Sequence, residues 1–139
     1  DPNAHPYEIV REAMEDAVQR SAALSTPGEI MPWLQDFSLG EPAYGPSEVR
    51  SQIQAVYDAG LDDWVLWNPG SRYTSAALRP ATGWSPGAEP TLRIGDAFVA
   101  PAERFAALER TRRQRFVADS LANALELEAQ PDTARSGSR

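Results

Sequence analysis

At 139 residues, 42% hydrophobic and without cysteine, the chain has room for one domain and enough apolar side chains for a core, but no means of forming disulfides or thiolate metal sites. A formal charge of -7 argues against a nucleic-acid backbone as the main partner, because such binding needs a basic face. No apolar run approaches the ~20 residues of a membrane span, and no charged-then-apolar signal segment opens the chain. From Tyr7 to Leu24, apolar and small residues recur three or four apart (Val10, Met14, Ala17, Ser21, Leu24), which predicts a helix with Pro6 at its first position. Thr26-Pro27-Gly28 breaks it. The short apolar run Ile30 to Leu34, ending in Gln35-Asp36-Phe37, predicts a strand buried on both faces of a parallel sheet. A loop over Ser38 to Gly45 leads to a second helix, Pro46 to Ala59, with Val49, Ile53, Val56 and Tyr57 as its stripe and Gly60 placed for a left-handed end. Trp64-Val65-Leu66-Trp67 is a second short apolar run, followed by Asn68-Pro69-Gly70-Ser71-Arg72.

Helix, strand, helix, strand with short connections is the alternation of βα units around a parallel sheet. Arg79 to Gly95 is rich in Pro and Gly and reads as irregular chain. A third helix is expected from Pro101 to about Ala129, with Phe105, Leu108, Phe116, Leu121 and Leu125 apolar. Beyond Pro131 the small polar residues predict disorder. The expected organisation is βα units over 1–78, a Pro/Gly-rich linker or loop over 79–100, a helical extension over 101–130 and a tail over 131–139.

In parallel α/β folds ligands bind beyond the carboxyl ends of the strands. Trp33, Gln35 and Asp36 end one strand; Trp67, Asn68, Arg72 and Tyr73 follow the other. Indole and phenol rings offer flat apolar faces to a sugar, while Asp, Asn, Gln and Arg bond its hydroxyls, and a carboxylate can also move protons or attack. That combination predicts a saccharide cleft. Asp36 is the candidate catalytic carboxylate, or else an acceptor for backbone N–H groups of a following loop. Trp33, Gln35, Trp67, Asn68, Arg72 and Tyr73 are the candidate substrate contacts. Either Trp33 or Trp67 could instead fill the interior, Asn68 before Pro69 could be a turn residue, and Trp64 is expected in the core. Arg50 and Gln52, inside a helix, are expected to be structural. Glycoside hydrolysis normally uses two carboxyl groups, and Glu41 is the other acid near this rim, although the partner is expected on another strand. With one histidine, His5, and no cysteine, neither a transition-metal site nor a cofactor is expected. The arginines Arg110, Arg112, Arg113 and Arg115 read as a solvated helix face.

The runs Pro32-Trp33-Leu34-Gln35-Asp36-Phe37, Tyr44-Gly45 with Val49-Arg50 and Gln52-Ile53, and Asp63-Trp64-Val65-Leu66-Trp67-Asn68-Pro69 with Arg72-Tyr73 resemble the last two strands of a bacterial family of glycosyl hydrolases with a TIM-barrel fold. The resemblance covers roughly His5 to Leu78, and departs from the family at Asp62-Asp63, where a glycine is expected after the acidic residue. It implies strands seven and eight of a (β/α)₈ barrel and a carbohydrate substrate. The segment beyond Leu78 lies outside the resemblance and is expected to be a helical C-terminal extension packed outside the barrel or trailing from it. A whole barrel needs ~250 residues, with 200 near the minimum. The chain, which opens on Asp1-Pro2-Asn3 without an initiator Met, is therefore expected to be the C-terminal part of a larger glycoside hydrolase, inactive alone. Its expected partners are the N-terminal barrel portion or a second copy. A non-catalytic carbohydrate-binding or scaffolding barrel, and an interaction module built on the third helix, are the alternatives.

Overall fold

The computed structural model describes residues 1–79, 82–83 and 88–129. The expected tail over 131–139 and part of the expected linker lie outside the described residues. After a 3₁₀ turn at Pro2–Ala4, the elements are α1 (Pro6–Ala22), β1 (Trp33–Gln35), α2 (Pro46–Asp58), β2 (Val65–Trp67), β3 (Leu92–Ile94), β4 (Ala97–Val99) and α3 (Arg104–Ala129), the last preceded by a 3₁₀ turn at Pro101–Glu103. The chain divides into two compact units, Asp1–Leu108 and Glu109–Arg139. None of the described helices is long and apolar enough to cross a membrane.

The alternation read from the sequence is present: β1 and β2 pair in parallel, with Trp33 opposite Val65, Leu34 opposite Leu66 and Gln35 opposite Trp67. Pro6 occupies the start of α1, and Gly60 (φ +84°) sits just past α2 in the left-handed region. Leu34 packs with Val49, Ile53 and Val56 of α2, and Trp64 and Leu66 lean on the same cluster. Trp64 also donates its indole N–H to the Tyr57 hydroxyl at 3.0 Å.

The expectation that the strands are covered on both faces is corrected. Successive strand residues point to opposite sides, so Leu34 and Leu66 face α2 while Trp33, Gln35, Val65 and Trp67 take the other side. Trp33 is 71% exposed and Trp67 44%. Among the described residues, only the α2 side carries a packed layer.

Two further corrections concern the second half of the chain. The stretch read as irregular contains an antiparallel hairpin, β3–β4, turning at Gly95-Asp96, where Gly95 has φ +58°. Leu92, Ile94 and Val99 join Tyr7, Ala55, Ala107 and Leu108 in a second core cluster. The first unit therefore extends to Leu108, past the boundary expected at residue 78. In α3, of the predicted apolar stripe only Leu108 is buried; Phe105, Phe116, Leu121 and Leu125 are exposed.

The hairpin also explains why α2 is buried all round, from Glu48 to Val56. Its polar residues are not on a solvent face but hydrogen-bonded. Glu48 accepts from the Gly45 N–H at 2.9 Å, closing the helix start, and Ser51 Oγ accepts from the Arg93 N–H at 2.6 Å, fastening β3. Glu8 of α1, also buried, accepts from the Gly95 N–H at 2.6 Å.

Gln52 has the most specific role. Asp36 donates to Trp67 O and Val65 to Pro32 O, so the Gln35 N–H and C=O face away from β2. The Gln52 amide meets both, accepting from Gln35 N at 3.0 Å and donating to Gln35 O at 2.7 Å. A side chain thus stands where the backbone of a neighbouring strand would. Gln52→Leu keeps the volume but leaves both backbone groups unpaired. It is expected to cost about 2–3 kcal/mol and to accelerate hydrogen exchange at the Gln35 amide. An unchanged exchange rate there would refute the assignment.

Candidate active site

The pairing of β1 with β2 brings Asp36 and Asn68 together beyond the strand ends. Asn68 uses its whole amide locally: Nδ2 donates to the Asp36 and Arg72 carbonyls, the latter at 2.8 Å, and Oδ1 accepts from the Gly70 N–H at 2.7 Å. This is the turn-residue arrangement that Asn adopts when its side chain bonds backbone two residues on. Asp36 is 2% exposed. One carboxylate oxygen accepts from the Thr74 N–H at 2.8 Å and the other from the Thr74 hydroxyl at 2.6 Å. Both oxygens therefore tie the loop after β2 to the end of β1.

Gln35 is tied as well. Its Nε2 donates to Asn3 Oδ1 at 3.0 Å and to the Phe37 carbonyl at 2.9 Å. Asn3 in turn donates to the carbonyls of Leu39 and Glu41, each at 3.2 Å, and so holds the loop after β1 against the start of the chain. Gln35 lines a cavity of about 350 Å³ together with Asn3, Leu39, Tyr44 and Gln52. Burial pushes the Tyr44 hydroxyl above its ordinary value, and the charge of nearby Glu48 adds to this against Arg93.

The aromatic candidates are placed differently. Trp33 and Trp67 project from the same face of the pair, on neighbouring strands, two residues out of register. The Trp67 ring is braced edge-on by Phe37, with centroids 5.2 Å apart and an interplanar angle of 86°. Arg72 and Tyr73 are exposed on the loop, Tyr73 at 52%. Glu41 is exposed on the loop after β1, and its carboxylate has no part in the Asp36 arrangement. Arg50 and Gln52 are buried and make structural contacts, as expected of helix residues. Among the described residues no three His, Cys, Asp or Glu side chains converge as a metal site would require.

Thr74, Asn3 and Phe37 are the residues that sequence reasoning missed. Thr74 lies 38 positions from Asp36 and Asn3 lies 32 from Gln35, and no local pattern links such pairs. Phe37 carried a signal, since an aromatic at a strand end two residues beyond Gln35 falls on the side where Trp67 emerges.

A family profile described as "Putative glycosyl hydrolase domain" matches residues 1–73, more than half of the chain, and the chain belongs to that family. The match takes in α1, β1, α2 and β2 with every predicted site residue, and ends next to Thr74. Comparison with curated proteins and with solved structures returned no match.

Proposed function

We propose that this chain forms part of the substrate-binding wall of a glycoside hydrolase acting on an oligosaccharide or polysaccharide, as the C-terminal βα units of a (β/α)₈ barrel. The observation that carries the reading is Trp67, at the carboxyl end of β2 where parallel barrels bind ligands, its ring braced edge-on by Phe37. Trp33, the first residue of β1, stands on the same face but away from that end. A flat ring at the carboxyl end suits the C–H face of a sugar. In this reading Tyr73 and Arg72 extend the wall along the loop. Asn68 and Gln35, whose amides are engaged locally, fix the loops that flank the wall.

Asp36 then acts as a positioning residue. A carboxylate buried to 2% and bonded through both oxygens to Thr74 is poorly disposed for attack or proton transfer. The acid and base of the reaction belong to strands that these two do not include, and the 139-residue chain alone is expected to release no reducing sugar from any polysaccharide. The same saturation of Asp36 favours a second reading, a barrel that binds carbohydrate without cleaving it. Turnover by a longer protein containing this chain separates the two.

The wall itself is testable on the chain. Tryptophan fluorescence should change saturably with at least one of cellohexaose, xylohexaose, chitohexaose or maltohexaose. Trp67→Ala should weaken that binding roughly tenfold, the equivalent of about 1.4 kcal/mol. Equal affinity of Trp67→Ala, or no response to any of the four sugars, would remove the stacking face from the reading.

A further inference from the structure

The two outer edges of the β1–β2 pair are finished differently. In a parallel ladder a strand turns the backbone groups of alternate residues towards one neighbour. Val65 donates to Pro32 O and Trp67 accepts from Asp36, so these two residues face β1 and Leu66 presents its N–H and C=O to the other side. Among the described residues neither Leu66 group has a hydrogen-bond partner. On β1 the outward groups of Gln35 are taken by the Gln52 amide. The open edge is therefore that of β2. Its residues, Val65-Leu66-Trp67, include neither charge nor proline, the devices that protect a strand edge. The described residues offer no further strand to fill it, because β3 and β4 pair with each other. Charge is asymmetric along this edge. Asp62 and Asp63 precede β2, and Arg72, whose carbonyl accepts from Asn68 Nδ2 at 2.8 Å, is folded back on its far end; all three are exposed.

We propose that β2 pairs with β2 of a second copy of this chain, antiparallel about a two-fold axis at Leu66, so that two β1–β2 pairs join into one four-stranded sheet. Leu66 of each copy then exchanges both backbone bonds with Leu66 of the other, as residues of a hydrogen-bonded antiparallel pair do. Val65 falls opposite Trp67 of the other copy on the face away from α2. This β-branched and aromatic pair occurs twice and covers part of an indole that is 44% exposed. Charge selects the direction. Antiparallel pairing brings Asp62 and Asp63 of one copy to Arg72 of the other at both ends, whereas parallel pairing sets acid beside acid. The two-fold closes the assembly at two copies, and the Gln52 amide obstructs further strand addition at Gln35. A two-stranded sheet is marginal by itself, and four strands with an apolar face are not. The pairing is made by backbone groups and does not depend on the sugar-binding reading.

The test combines sedimentation of the whole chain with amide hydrogen exchange across a dilution series from millimolar to micromolar protein. A monomer–dimer equilibrium is expected. The Leu66 N–H should gain protection as the dimer forms, while the Gln35 N–H, held by Gln52 within each copy, should not change. Arg72→Glu should weaken the dimer about tenfold, because the contact occurs twice and reversal turns attraction into repulsion at each end. Adding Asp62→Arg and Asp63→Arg to that variant should restore most of the loss. All three positions are exposed, so these variants keep the fold. A chain that stays monomeric throughout the series would overturn the proposal. So would association that leaves Leu66 exchange unaltered, which places the contact elsewhere, such as on α3. Undiminished association of Arg72→Glu, or no recovery on reversing the acids, would exclude the antiparallel arrangement.

Discussion

Asp58→Ala should lower the stability of the first unit by about 3 kcal/mol, the largest loss expected from a single polar substitution in this chain. The Asp58 side chain is 5% exposed and accepts from Arg104 Nε at 2.6 Å, from the Tyr7 hydroxyl at 2.6 Å and from Gln54 Nε2 at 3.0 Å. One carboxylate at the end of α2 therefore holds α1 and the first residue of α3. Breaking a buried pair costs about 3–5 kcal/mol because the surviving charge is left unpaired. The low end applies here, since the Arg104 side chain is 23% exposed and can turn towards water. Tyr7, at 0% exposure, cannot. Urea unfolding followed by tryptophan fluorescence measures the loss, and a change under 1 kcal/mol with an unaltered m-value would contradict the account.

The same network sets the pH range of stability. Burial pushes the Asp58 carboxyl up, but the hydrogen bonds from Arg104, Tyr7 and Gln54 outweigh it and hold it below its ordinary value of 3.8. Its contribution is therefore present above the ordinary carboxylate value and is lost as pH falls through the depressed one. Tyr7 runs the other way. Burial, reinforced by the Asp58 hydrogen bond and charge, pushes its hydroxyl up to about 12 from 10.0. The folded state keeps the proton that the unfolded chain gives up, so stability should fall by roughly 2–3 kcal/mol as pH rises from 10 to about 12. Asp58→Ala should shrink this alkaline limb, because one cause of the Tyr7 shift goes with it.

Asp36→Asn should also destabilise, by about 2 kcal/mol. The amide can still accept from the Thr74 N–H and donate to the Thr74 hydroxyl, but two charge-assisted bonds become neutral ones in a buried position. Thr74→Val should cost a similar amount. The double variant should fall short of the sum by roughly 1–2 kcal/mol, because both changes break the same contact. A catalytic Asp36 predicts the opposite profile: near-normal unfolding, with turnover reduced by orders of magnitude in a protein containing the complete barrel. Additive effects of the two substitutions would refute the positioning role.

The elements were legible because they rest on short-range regularities. The three- and four-residue spacing of Val49, Ile53 and Val56, the proline at the head of α1 and the glycine past α2 each constrain neighbouring residues, and none needs knowledge of a distant one. The ordering of helix, strand, helix and strand then limits β1 and β2 to parallel pairing, which sets Asp36 beside Asn68. The hairpin escaped notice because its strands are three residues each, too short to display an alternation among the prolines and glycines before them.

What each face meets was decided only by the tertiary structure. Periodicity tells which residues share a side but not what covers that side. Glu48, Arg50, Ser51, Gln52 and Gln54 have the composition of a wetted helix face, yet all are buried. Ser51 meets the Arg93 N–H 42 positions away, Gln52 the Gln35 backbone 17 away and Arg50 the Glu89 carboxylate 39 away, while Glu48 and Gln54 bond groups three and four residues off. The reverse holds for Trp33, an indole in an apolar run that stands in the open. Asp36 shows the same limit for chemistry: its position at a strand end could be read directly, but its use of both oxygens on Thr74 depends on how a loop returns across β1, and no local pattern encodes that return.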